Sequence, residues 1–460
     1  MSVELSEPMA AAVRLVTDSP HRAEADLDRA RTCLLHYAVC AVLGQELPWS
    51  ATAVGLARGS AAERTGFGCS VVGLPDVVAP ESAILANAVL GQSTLAEDVH
   101  PASLVHPGSM VIPAALAAAE RNDATEQELL QAIVAGYDVV CSIGTALKTK
   151  EFVRRGLRPS GVFGPLGAAA AVGSVWRFDP ARMTACLGIA ANMGAGLREW
   201  ATAGTTDIYF QNGIAARNGY LAAVLAEHGA TGPATAFDGP SGLANAFAGG
   251  EVDWSPVLRA GEAPAAVRAV EYKRYPACSA VQSVLDVAAR LAARASFAAS
   301  SIERVEVLTH AHGKNNPGCD SHGPWQNVGQ AQMSNQLGVA LALLGRPLTV
   351  ASYRTGMTDE GAAALAAKVT VVEDERLTAV YPARSGAVVR VFLADGTTVE
   401  ESAEVANPVS DDEVRDMFAA VMSAALNGSG ASWEALRDPD PGRSVHEWTR
   451  LLRQASNAAA

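Results

Sequence analysis

The chain has 460 residues, with 35 Lys plus Arg against 48 Asp plus Glu and a formal net charge of -13. That balance argues against nucleic acid and anionic membrane, which require a basic footprint, but leaves room for a small anion held by a few local cations. Hydrophobic residues at 49% and charged residues at 18% allow a large core and exclude general disorder, and a length past ~250–300 residues predicts more than one core.

Helical spacing opens the chain at 23–44, where Leu27, Ala30, Leu34, Tyr37 and Ala38 share a face and Gly44 supplies a stop. Helices follow at 81–94, 109–121 and 125–147, the last begun by Thr125 and Glu128 in capping-box spacing. Asp179-Pro180 starts another, and 213–228 is closed by Gly229. This half shows almost no strand alternation. After about residue 265 the texture changes: 301–310, 368–374 and 387–394 alternate as strands, and Asp395-Gly396 reads as a hairpin turn into 397–405. Helices at 279–295, 330–345 and 359–367 interleave with them. Ser410 and Glu413 then cap a return to helix through 460. The expected architecture is mostly α: an all-α helical domain built from both chain ends (1–265 with 406–460), with an α+β lid domain inserted at 266–405.

Aromatics are only 5%, and small Ala, Val and Leu side chains predict closely approaching helices. Seven cysteines (33, 40, 69, 141, 186, 278, 319) are odd in number and irregular in spacing, which speaks against a disulfide framework or zinc ribbon. The N-terminal MSVELSEPMA does not resemble a signal peptide, and no run of ~18 uninterrupted apolar residues occurs. The expectation is a soluble cytoplasmic protein.

Four constellations could carry chemistry. Glu97-Asp98-Val99-His100 and His106-Pro107-Gly108 put two carboxylates and two imidazoles in one loop, where an imidazole beside a carboxylate can move protons. The plainer alternative is helix capping by Asp98 with a structural His106. Gly156 to Gly167, reading GLRPSGVFGPLG, reads as a Gly-rich loop that opens a helix with free amides and a cation at Arg158, a fair anion site but not a Walker loop. Its glycines serve close helix packing equally well. Lys273-Arg274-Tyr275-Pro276-Ala277-Cys278 lies at the domain junction and suits a polycarboxylate, though a Lys-Arg pair is commonly plain surface. Cys278 as a nucleophile lacks an identified His partner. His310, His312, Cys319 and His322 match no standard zinc spacing, so no metal is expected and the segment is read as the rim of a cleft.

As an ordered series these segments resemble the MmgE/PrpD family, which includes 2-methylcitrate dehydratase, cis-aconitate decarboxylase and iminodisuccinate epimerase. The series runs from His106-Pro107-Gly108, through Pro159 to Pro165 (PSGVFGP) and Gly213 to Gly219 (GIAARNG), to Lys273-Arg274-Tyr275-Pro276 and Gln332-Met333-Ser334. The resemblance implies a helical domain with an α+β lid, a homodimer, and no metal or organic cofactor. Departures are specific. The family's Asp-rich stretch ending Asp-Asp-Thr becomes Leu95-Ala96-Glu97-Asp98-Val99, and its His-Pro-Thr-Gly becomes Arg158-Pro159-Ser160-Gly161. The usual Lys, three residues before a His, falls on Ile208 and Gln211, and a decarboxylase His falls on Cys278.

The expectation is acid/base chemistry on a small di- or tricarboxylic acid, begun by proton removal near a carboxylate, whose enediolate needs preorganised donors and cations. His106 is the leading base or acid, with Asp98 or His100 as its partner or the second proton carrier. Arg158, Ser160, the Gly161–Gly164 amides and Lys273 would hold carboxylates, with Tyr275 and Gln211 lining the pocket. Dehydration ranks first. Epimerisation or isomerisation follows, since it needs two weak bases and no leaving-group acid; decarboxylation is the third outcome. A member that has lost catalysis and serves as a dimeric binding or accessory protein is the alternative of another class.

Overall fold

The helices of the first half form one packed body. In a computed structural model, which describes residues 5–18, 22–60, 67–262, 264–294, 297–427, 433–436 and 438–456, the central helices are Pro80–Gln92, Gly108–Arg121, Glu126–Leu147, Pro159–Val175 and Asp207–Glu227. They touch through small residues. A Cβ on Gly136 would fall 2.8 Å from the Gly167 carbonyl oxygen, and one on Gly167 would fall 3.0 Å from that of Gly136. The Ala- and Gly-rich composition thus becomes short interhelical distance. Glu126–Leu147 is long and apolar enough to cross a membrane, but 89% of its apolar 18-residue window is buried inside the protein, as befits a core helix.

The sequence signals for helix starts are realised in detail. Thr125 accepts from the Glu128 amide while Glu128 accepts from that of Thr125, and Ser410 with Glu413 does the same. Asp179 caps Pro180–Ala190. The helix expected at 213–228 begins earlier, at Asp207.

Two expectations need correction. The glycine-rich run is not a loop: the helix begins at Pro159 and includes Gly161 and Gly164. Burial on nearly every side explains it, since a Cβ at Gly164 would lie 2.3 Å from the Met110 sulfur. The first half also holds an antiparallel hairpin, Cys69–Val71 with Leu74–Val78, turned at Gly73 with φ of 73°. Its strands are too short to display alternation.

The second half carries a four-stranded sheet in the order Val369–Glu373, Ile302–Thr309, Ala387–Leu393, Thr398–Ala403, the first pair parallel and the others antiparallel. Val305, Val307, Val389 and Val391 form its buried face, and helix Gln282–Arg294 packs on the last two strands. Gly396, with φ of 87°, turns the hairpin where Asp395-Gly396 predicts it.

The late helices return to the helical body. Asp411–Ala425 lies on Glu24–Leu43, and Val445–Gln454 on the Cys69–Val78 hairpin. Buried Glu126 joins the ends: its Oε1 is 2.9 Å from Arg31 Nε, and its Oε2 accepts from Arg443 Nη1 at 2.7 Å and Trp448 Nε1 at 2.9 Å.

Candidate active site

Helix Pro80–Gln92 ends in a loop that runs to Gly108 and is clipped to the junction segment. Val99 and Glu271 exchange backbone hydrogen bonds at 2.9 and 2.8 Å, and His100 N–H donates to the Val105 carbonyl at 2.9 Å. Leu95 and Leu104 take left-handed φ of 58° and 57°, strained for branched side chains, and both line a cavity of about 260 Å³. The clip brings Lys273 under the loop, where its Nζ donates to the Leu95 carbonyl and to Glu97 Oε1, each at 3.0 Å.

His106 stands on the cavity wall. Its backbone N–H donates to Ser160 Oγ at 3.0 Å. Nδ1 lies 2.9 Å from the Asp98 carbonyl oxygen and 3.2 Å from Glu97 Oε1. Two acceptors facing Nδ1 place the ring proton there and leave Nε2 with its lone pair. Burial first, then the Lys273 and Arg158 charges, hold this imidazole well below its ordinary value, so it is neutral at pH 7. A neutral ring with a free Nε2 is a base in waiting.

The other walls supply positive charge. Arg158, 7% exposed, donates to Asn212 Oδ1, whose Nδ2 donates to Ser109 Oγ at 2.7 Å. Lys148, at the end of Glu126–Leu147, and Arg198, which donates to Asn316 Oδ1, complete the set. Burial pulls all three down, Arg158 to about 10. Among the described residues none of these three has an ion pair, whereas Lys273 is paired with Glu97. Such charges are stable in a shielded cavity only if an anion joins them. Ile208 and Trp200 form an apolar wall, and His312, Cys278 and Tyr381 line the cavity from the second half of the chain.

The other residues singled out in the sequence lie elsewhere. Asp98 is pushed up to about 6 by burial and does not line the cavity; Oδ1 accepts from Gly108 N–H at 2.9 Å and Oδ2 from Tyr137 O–H at 2.7 Å. It caps the next helix and lends His106 only its carbonyl. His100 is turned to Ser103, 2.9 Å from Nδ1 to Oγ, is pulled down to about 4 by burial, and is not on the wall. Gly161 offers contact rather than a cradle, because a Cβ there would lie 2.4 Å from the Ala195 carbonyl oxygen. Gln211 Nε2 donates to the Leu197 carbonyl and to Asp207 Oδ2, both at 3.0 Å, away from the cavity. Tyr275 is half-buried and outside the wall, its backbone held by Gln282.

The four-residue His/Cys set disperses. His310 Nδ1 accepts from Gly313 N–H and its ring stacks on Tyr381 at 4.0 Å, His322 meets the Ala366 carbonyl, and Cys319 shares the Asn316 amide with Cys278. Among the described residues no group of three or more His, Cys, Asp or Glu is placed to hold an ion. Only His312 of the four reaches the cavity. Sequence reasoning passed over Lys148 and Arg198, because a lysine at a helix end is ordinary dipole complement and a single arginine in a loop carries no spacing signal.

Comparison with known proteins follows this geometry. Residues 12–255 match the MmgE/PrpD N-terminal domain and residues 275–435 the MmgE/PrpD C-terminal domain. The cis-aconitate decarboxylase-like protein oryM of Aspergillus oryzae is 29% identical over 219 residues, 46% of this chain and 45% of that protein. Cis-aconitate decarboxylase of Aspergillus terreus is 29% identical over 209 residues, 44% of this chain and 42% of that protein. Each match thus spans under half of the curated relative. With two domain matches that together cover most of its length, the chain belongs to the MmgE/PrpD family.

Proposed function

We propose that the protein is an acid/base enzyme that removes a proton next to a carboxylate of a small di- or tricarboxylic acid, acting as a hydro-lyase. One arrangement carries the reading: a neutral His106 with Nε2 free, in a cavity with three cations that have no carboxylate of their own among the described residues. Arg158, Arg198 and Lys148 bind the substrate's carboxylates and hold the enediolate that forms when His106 takes the proton. Glu97 orients His106 through Nδ1 and keeps Lys273 in place. The 266–405 unit serves as the lid that excludes water. The described cysteines are all free thiols, which fits a reducing, cytoplasmic setting, and the active form is a homodimer.

Epimerisation is the second reading. It is favoured by the buried apolar Ile208, which stands in the cavity wall where a leaving-group acid would serve dehydration. Incubation in D2O with citrate-, aconitate-, malate- and aspartate-type acids, followed by proton NMR, separates the outcomes. A vinyl signal marks lyase chemistry, and deuterium uptake without net conversion marks an epimerase. Carbon dioxide release places the protein with the decarboxylases. If no acid exchanges or reacts and His106→Ala leaves binding unchanged, the catalytic reading fails and an accessory binding role replaces it.

A further inference from the structure

Cys278 lies on the cavity wall, half-buried, just before the turn Ser279–Val281 that leads into helix Gln282–Arg294. Its surroundings favour the charged form of its sulfur, with fully buried Cys319 and the Ala280 amide of that turn contributing to this. Asn316 Nδ2 reaches both sulfurs, at 3.6 Å to Cys278 and 3.3 Å to Cys319. The amide is oriented by Arg198, which donates to Asn316 Oδ1, and the Cys319 N–H returns to the Asn316 carbonyl at 2.9 Å. Lys273 and Arg198 add positive charge nearby. A sulfur kept only for packing does not need a cavity-facing place, an oriented amide donor and two nearby cations, whereas Cys33, Cys40, Cys141 and Cys186 are buried with thiols driven up by burial.

We propose that Cys278 is the second proton carrier of the site, the acid that complements the His106 base, with Cys319 and Asn316 as its positioning residues. The inference rests on the function proposed above. The substrate C–H bond breaks as His106 Nε2 takes the proton, and the electron pair passes into the enediolate held by the cations. The Cys278 S–H bond then breaks. In the hydro-lyase its proton goes to the departing hydroxyl oxygen, the C–O bond cleaves and water leaves. In the epimerase the same proton goes to the carbanion carbon and a new C–H bond forms. Either way an imidazolium and a thiolate remain, and both reset by proton exchange with solvent. The Cys319 thiol above all, then the Ala280 amide and the two cations, hold the Cys278 thiol well below its ordinary value, toward neutrality, so both protonation states are accessible where the enzyme works.

The test uses the full-length protein in three arms. Iodoacetamide alkylation of Cys278, read by peptide mass spectrometry against pH, gives a midpoint below the ~8.5 of a free thiol. Cys319→Ala moves that midpoint up by at least half a pH unit, and it moves the basic limb of the kcat profile of the reactive acid up with it, a shift that a packing role does not produce. Cys278→Ser, with an unchanged circular dichroism spectrum, loses ~10²-fold or more in turnover while KM moves little and His106-dependent deuterium exchange persists. An active wild type whose Cys278→Ser variant keeps turnover within twofold overturns the proposal and leaves the proposed function standing. An alkylation midpoint at the free-thiol value also overturns it. If the wild type neither exchanges nor converts any acid, the underlying function fails first and this inference falls with it.

Discussion

Replacing Glu97 with Gln removes the one carboxylate that lines the cavity among the described residues, without removing its volume. Glu97 and Lys273 are 3% and 6% exposed and their charged atoms are 3.0 Å apart. Taking one partner from a buried pair costs about 3–5 kcal/mol, because the remaining charge stays desolvated. Gln keeps an acceptor for His106 Nδ1 and Lys273 keeps the Leu95 carbonyl, which sets the expected loss at the lower end, about 3 kcal/mol. Lys273→Met leaves the mirror defect, a buried carboxylate. The double variant removes both charges, so it is less destabilised than the sum of the two by about 2 kcal/mol or more. Equilibrium urea unfolding followed by tryptophan fluorescence measures all four corners of the cycle. Additivity within about 0.5 kcal/mol would refute the view that the two charges sustain each other.

Three further outcomes are expected. Lys148→Met takes away a cation with no ion pair among the described residues, so the melting temperature holds or rises while calorimetric affinity for citrate falls ~10–100-fold; unchanged affinity would remove Lys148 from the anion site. Gly161→Ala drives a Cβ to 2.4 Å from the Ala195 carbonyl oxygen, costs about 1–3 kcal/mol and weakens substrate binding through the displaced Arg198 loop, and a variant as stable as wild type would contradict the close contact. His36 and His100, pulled by burial to about 3 and about 4, stay neutral when folded but charge on unfolding below pH 6.5. Their contribution is therefore whole above pH 6.5 and falls as the pH drops toward 4. Asp98, raised to about 6, works the opposite way over the lower part of that range and offsets one of them. Net stability in urea declines from pH 7 to pH 5, and His36→Phe flattens the decline by up to ~1.4 kcal/mol per pH unit. A slope that His36→Phe leaves untouched would show that this histidine titrates alike in both states.

What the sequence disclosed and what it hid divide along the range of the interaction. Capping boxes at Thr125 and Ser410, the alternation of 302–309 and the Asp395-Gly396 turn are local, so their signals sit beside one another in the chain and the structure reproduces them. His106 and Lys273 were legible as chemistry and do face the cavity. Asp98 and His100 share the loop with His106, but irregular backbone has no period from which to read the direction of a side chain, and both turn inward. The glycine run misled because glycine and proline discourage helix in water, whereas inside a tightly packed bundle the absence of a Cβ decides. Lys148 and Arg198 could not be found in this way, and Cys319 stood out only as one of a His/Cys cluster and not for its place beside Cys278. Each looks ordinary in its own neighbourhood and acquires meaning only beside residues 41 to more than 100 positions away, as Cys278 and Cys319 show.

The Glu126 carboxylate has a consequence for dissecting the protein. Its three described partners come from position 31 and from positions 443 and 448, on either side of the whole sheet-bearing half. A fragment that stops near residue 265 would retain Glu126 and Arg31 but forfeit the guanidinium and indole that occupy the second oxygen. The boundary suggested by the two family matches is therefore a seam in homology and not a place to cut: the early half needs the late one to finish its interior. Expression of the first region alone should yield aggregate, and co-expression of the remainder should restore solubility.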